Sequence, residues 1–127
     1  MHINEISGGI VDAAMKVHTT LGPGLLESAY EVCLRHELAQ RGLHVRSQVS
    51  LPVEYDGVKL DAGYRIDLLV QNAVIIELKS VERILPLHEA QLLSYLKLSG
   101  LHLGLLINFN VVHLKDGIKR MVNHLAE

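Results

Sequence analysis

Apolar residues recur at helical spacing from the start of the chain: Ile6, Ile10, Ala13, Ala14, Val17 and Leu21. Such a one-sided stripe predicts an amphipathic helix over residues 4 to 20, capped by Asn4 or Ser7. Gly22-Pro23-Gly24 breaks the period, because neither residue type continues a helix. A second stripe of Leu25, Leu26, Ala29, Cys33, Leu34 and Leu38 predicts a helix that starts near Gly24 and stops at Gly42. The period then shortens. Val45, Val49, Leu51 and Val53 alternate as in a strand, Asp56-Gly57 is a hairpin signal, and residues 58 to 70 return as one long or bent strand. Gln71-Asn72 turns the chain again. Ala73 to Lys79 forms a third strand, whose apolar run marks it as central and buried on both faces. Pro86 opens a helix that Leu87, Leu92, Leu93, Leu96 and Leu98 carry to Gly100. Leu103 to Phe109 reads as another buried strand. Leu114 to Val122 reads as an edge strand turned at Asp116-Gly117, with a short helix in the tail. This order predicts an α/β fold, a mixed central sheet flanked by helices, in one domain over residues 1 to 127.

Composition changes that picture only at the margins. The single Cys33 cannot form an intramolecular disulfide, and its place in the helix stripe marks it as core rather than nucleophile. The first residues lack the basic start and apolar stretch of a secretory signal, and no apolar run is long enough to span a bilayer. These features predict a cytoplasmic protein without a membrane segment. A mean hydropathy of +0.24 suggests a partly apolar surface and hence a homodimer. The net charge is −2, with 12 basic and 14 acidic residues, so charge alone does not announce a nucleic-acid partner. The histidines show no tight zinc-type spacing. His18 is expected to hydrogen-bond across its helical turn. Gly22-Pro23-Gly24 lacks the Lys-Ser/Thr of a phosphate loop and reads as a tight turn.

The chemistry begins where charge interrupts the central strand. Glu77 and Lys79 are two apart and share one face. Unpaired charge is costly there, so something must compensate it. Asp67 lies one hairpin turn upstream. A two-residue loop at Gln71-Asn72 pairs Asp67 with Ile76 and sends Glu77 to the other face. A three-residue loop, Gln71-Asn72-Ala73, sets Asp67 directly against Glu77. Facing carboxylates repel, and a divalent cation removes the conflict, which favours the three-residue loop or an equivalent bulge. Two carboxylates on rigid strands suit Mg2+ or Mn2+. That ion can polarise a phosphoryl oxygen and acidify a water. Lys79 can position the water or stabilise developing charge. The competing reading is a structural ion-pair cluster. Glu27 and Tyr30 are adjacent on one helix face, although an acid in a first helical turn is also favoured simply by the helix dipole. Gln91 and Tyr95, four apart, face one cleft from the third helix, with His88 and Glu89 at its rim. Lys97 is expected to be solvated and His88 non-catalytic.

The segment from Val17 to Tyr30, with Gly24, Glu27 and Tyr30 as its core, resembles the signature of the GxxExxY proteins, grouped with the PD-(D/E)xK nuclease superfamily. Asp67 and Glu77-Leu78-Lys79 match that superfamily's Asp and Glu-x-Lys positions, and Gln91 to Tyr95 resembles its Gln-xxx-Tyr motif. The resemblance covers nearly the whole chain. It implies a restriction-endonuclease-like core and Mg2+-dependent phosphodiester hydrolysis, and it does not identify the substrate; DNA is the nucleic-acid partner expected. It also implies roles: Glu27, Asp67, Glu77, Lys79 and Gln91 in catalysis; Asp67, Glu77, Glu27 and the Leu78 carbonyl on the metal; Tyr30 and Tyr95 on substrate. The alternative is a non-catalytic module of the same fold that binds nucleic acid or a protein partner.

Overall fold

The computed structural model describes residues 1–60 and 63–125. The first apolar stripe forms helix α1 (Ile3–Leu21), which buries Ile6, Ile10, Ala13, Ala14 and Val17. Its cap is His2, not Asn4 or Ser7. His2 holds an extended backbone and its ring Nδ1 accepts the Asn4 amide at 3.1 Å, which draws Asn4 into the first turn. Helix α2 (Glu27–Gln40) starts three residues later than its apolar stripe suggests. Leu25 and Leu26 are exposed, and Tyr30, Leu34 and Leu38 form the buried face instead. Gly42 ends the helix with positive φ, as expected.

The strands are β1 (Val45–Ser50), β2 (Val53–Tyr55), β3 (Val58–Leu60), β4 (Arg65–Val70) and β5 (Val74–Lys79), followed by helix α3 (Pro86–Ser99) and β6 (Leu103–Asn108). A 3-10 turn (Leu114–Gly117) precedes the edge strand β7 (Ile118–Val122). β1, β4, β5, β6 and β7 make one sheet in that order, with β5–β6 parallel and the other pairs antiparallel. The sheet is therefore mixed, and α3 is the crossover between its two parallel strands.

The expected long strand over residues 58 to 70 is divided. β2 and β3 form a separate hairpin around Asp56-Gly57, and β4 begins only at Arg65. Pro52 has no N–H for a ladder, and Gly63 adopts φ 71, a conformation that ends an extended run. Asp61 and Ala62, inside the expected strand, lie outside the described residues. The expected strand from Leu114 loses its first turn to the 3-10 segment. Of the expected tail helix, Asn123 to Leu125 is not helical, and Ala126 and Glu127 lie outside the described residues.

Each sheet face carries its own core. α1 and α2 pack against Leu68, Val70, Val74, Ile76, Leu78 and the alternate residues of β6. α3 covers the other face, where Leu92, Tyr95 and Leu96 meet Ile66, Leu69, Ile75 and Leu106. Gly104 allows that helix to sit close: a Cβ there would stand 2.8 Å from the Leu92 side chain. Among the described residues no helix is long and apolar enough to cross a membrane.

Candidate active site

The β4–β5 hairpin sets the site. Val70 pairs with Val74, Leu69 with Ile75 and Leu68 with Ile76, so the loop is the three residues Gln71-Asn72-Ala73. Gln71 and Asn72 both adopt left-handed φ, and the Ala73 amide closes onto the Val70 carbonyl at 3.0 Å. One step further along this register, Asp67 faces Glu77. There the ladder gives way: the Leu78 amide donates to Asp67 Oδ2 at 2.8 Å.

Glu77 is 4 % exposed, and its Oε1 has no hydrogen-bond partner among the described residues. Burial pushes its carboxyl up to about 9, and the neighbouring Asp67 charge pushes the same way. The Asp67 backbone amide and the Lys79 ammonium oppose this and are outweighed. Lys79 is half-buried and forms no ion pair among the described residues.

Asp67 opens into a cleft of about 530 Å³ on the α2 side of the sheet, with Glu27, Glu31, Gln48, Leu78 and Ser80 among its walls. Glu27 is exposed at the rim, where its Oε1 accepts the Ser80 amide at 3.3 Å. Ser80 Oγ in turn donates to the Leu25 carbonyl at 2.5 Å, tying the end of β5 to the turn before α2. Among the described residues no three His, Cys, Asp or Glu side chains converge closely enough to hold a metal ion. Asp67 faces Glu77 across the hairpin, and Asp67 and Glu27 both line the cleft.

Gln91 and Tyr95 lie on the opposite face, in a groove under α3. Gln91 Nε2 donates to the Tyr95 hydroxyl at 3.3 Å. Burial raises the Tyr95 pKa, and the charges of Glu77 and Asp67 raise it further, so this ring borders the carboxylate pair electrostatically. His88 caps α3: its Nδ1 accepts the Leu85 amide at 3.0 Å. Glu89 pairs with Lys119.

Tyr30 has a different task from the expected substrate contact. It is fully buried, its ring stacks on Phe109 at 4.4 Å and 7°, and its hydroxyl donates to the Gly22 carbonyl at 2.6 Å and accepts the Leu25 amide at 3.1 Å. Tyr30 thus builds the Gly22–Leu26 turn that presents Glu27. His18 reaches not across its own turn but to the Val111 carbonyl, 2.8 Å from Nε2.

The cleft residues Glu31 and Gln48 were missed from sequence. Glu31 lies four residues after Glu27, on the same helix face, and that spacing was the available signal. Its carboxyl pKa is raised by burial, against the lowering effect of a Gln48 hydrogen bond. Gln48 gives no signal of its own, because its role follows from strand pairing between distant segments.

No curated protein and no solved structure matches the chain. A family model for the PD-(D/E)XK nuclease superfamily matches residues 4–121. The mixed five-stranded sheet between helices agrees with the restriction-endonuclease-like core expected from the resemblance. Fold, register and family match thus agree, and the chain belongs to the PD-(D/E)XK nuclease superfamily.

Proposed function

We propose that the protein is a divalent-metal-dependent nuclease that hydrolyses phosphodiester bonds in DNA. The observation that carries this reading is Glu77 Oε1, a buried carboxyl oxygen without a partner among the described residues, set beside a second carboxyl on a rigid hairpin. Native proteins rarely leave such an atom unsatisfied. Mg2+ or Mn2+ fits the gap: these ions prefer oxygen ligands and keep several waters, so two carboxylates and a backbone carbonyl suffice without a third side chain. Asp67 and Glu77 would hold the ion, with the Leu78 carbonyl as the third ligand. A strand residue sends its N–H and C=O to the same side. The Leu78 N–H meets Asp67, so its carbonyl faces the same gap, whereas the Lys79 carbonyl is taken by the Phe109 amide at 3.0 Å on the β6 side.

The chemistry such an ion supplies, when bound, is polarisation of a phosphoryl oxygen and acidification of a water. The chain's own side chains do the rest. Lys79, on the face of Glu77, stabilises negative charge as it develops on the phosphate. Glu27 orients the attacking water from the rim. Gln91 and Tyr95 meet the substrate strand on the α3 side. Among the described residues no Lys or Arg lines the cleft, so an anionic substrate enters only once its acidic walls are neutralised. Within the superfamily, the Gly24, Glu27 and Tyr30 spacing supports a reading as the GxxExxY branch, with Tyr30 shaping the turn.

The test is cleavage of varied DNA and RNA substrates with Mg2+ or Mn2+. The wild-type chain is expected to cut, and Asp67→Ala and Glu77→Ala are each expected to abolish cutting. Activity that survives both substitutions sinks the assignment. The net charge of −2 favours a second reading, a non-catalytic nuclease-fold module that binds nucleic acid or a protein. Calorimetry separates the two: absence of Mg2+ and Mn2+ uptake at millimolar levels, even with DNA present, selects the module.

A further inference from the structure

Gln48 stands opposite Asp67 in the β1–β4 register, between the pairs Ser47↔Leu68 and Val49↔Ile66. The two strands keep register through this point, yet they change face. Leu68 packs in the core beneath α1 and α2, whereas Ile66, two residues earlier, packs beneath α3. Residues two apart on a regular strand share a face. The rotation is therefore absorbed at Asp67 and Gln48, and Gln48 takes φ 52, a left-handed conformation that a non-glycine residue in a strand rarely adopts.

Its side chain bridges the acids of the cleft. Gln48 Nε2 donates to Glu31 Oε1 at 2.7 Å and to Asp67 Oδ1 at 3.4 Å. Asp67 is thus held from both sides, by the Leu78 amide on Oδ2 and by Gln48 on Oδ1. Gln48 is exposed, so water could satisfy its amide without any backbone distortion. The choice of an amide also matters. Lys or Arg at this point would compete with a cation for the carboxylates, whereas a neutral donor fixes their orientation and leaves their charge intact.

We infer that Gln48 is a positioning residue, which holds the Asp67 carboxylate, and Glu31 beside it, in the orientation that a divalent cation meets. This inference rests on the metal-site reading above. The experiment compares Gln48→Gly with the wild-type chain in two measurements: thermal melting without metal, and Mn2+ titration by calorimetry. Glycine accepts the left-handed backbone, so relief of strain offsets the entropy it adds to the unfolded chain, and the variant melts no lower than wild type. Its Mn2+ affinity falls by roughly tenfold to a hundredfold, the usual effect of losing a residue that orients a ligand. A purely structural Gln48 gives the opposite split, with a lower melting temperature and unchanged affinity. Gln48→Asn keeps an amide and tolerates the same backbone, and it recovers part of the lost affinity. Unchanged Mn2+ affinity in Gln48→Gly, with wild-type binding intact, overturns this inference alone. A wild-type chain that takes up no Mn2+ overturns the metal-site reading along with it.

Discussion

The two ends of the β4–β5 hairpin are built from the same pair of strands and serve opposite purposes. At the turn, three consecutive cross-strand pairs are apolar and buried: Val70 with Val74, Leu69 with Ile75, Leu68 with Ile76. Each gains by leaving water and by fitting its neighbours. One residue further on, the same ladder meets Asp67 and Glu77, where burial and like charge both work against the fold. The open end stays in place because the closed end fixes it. A site that needs two carboxylates within reach of each other can tolerate their repulsion when a rigid apolar hairpin supplies the geometry.

Three measurements would break or sharpen that contrast. The largest effect is expected at the closed end. Ile76→Ala should cost about 2–5 kcal/mol in denaturant unfolding, while Mn2+ affinity in the folded protein stays near wild type. A large loss of affinity in the folded variant would mean that the two ends are not separable.

The next concerns the open end and pH. Glu77 binds its proton more tightly in the folded chain, at about 9 against 4.5 unfolded. Its contribution is complete below pH 4.5 and is lost progressively as pH rises towards 9. Metal-free stability should therefore fall by about 3 kcal/mol between pH 4.5 and pH 7 on account of this group. Glu77→Gln cannot ionise and should flatten that slope, as should saturating Mg2+ in the wild-type chain. Parallel pH profiles for wild type and Glu77→Gln would show that Glu77 carries no such penalty. The smallest effect belongs to the support behind Glu27. Tyr30→Phe removes a hydroxyl that serves both Gly22 and Leu25, and a loss of about 1–2 kcal/mol is expected in the same unfolding assay. No change at all would separate the turn from the site.

Much of this was legible in the sequence, for physical reasons that also mark where it stopped. The length of the Gln71–Ala73 loop followed from one premise, that two carboxylates face each other. Side-chain alternation then left only an odd loop, and the register agrees. Helix α1 was legible because its apolar period is regular and its buried face matches it. Helix α2 was misjudged at its start because Leu25 and Leu26 extend the stripe in sequence but not in space. Their exposure reflects the turn that Tyr30 holds, and Tyr30 was read as a site residue rather than as the cause of that turn. Gln48 was invisible for a deeper reason. Its partner is fixed by pairing between β1 and β4, and its left-handed backbone appears only where both strands change face together. Local composition carries no trace of either.

The stack of Tyr30 on Phe109 also has a bearing on how the chain matures. It joins the first third of the molecule to the residue just after β6, and contacts of such long sequence separation form late in folding. During synthesis the N-terminal helices emerge first. The turn that carries Glu27 lacks its aromatic support until Phe109 has also emerged and docked. A chain cut short of Phe109 therefore presents Glu27 on a turn without that stack. The full support of Glu27 thus waits on a residue far along the chain from it.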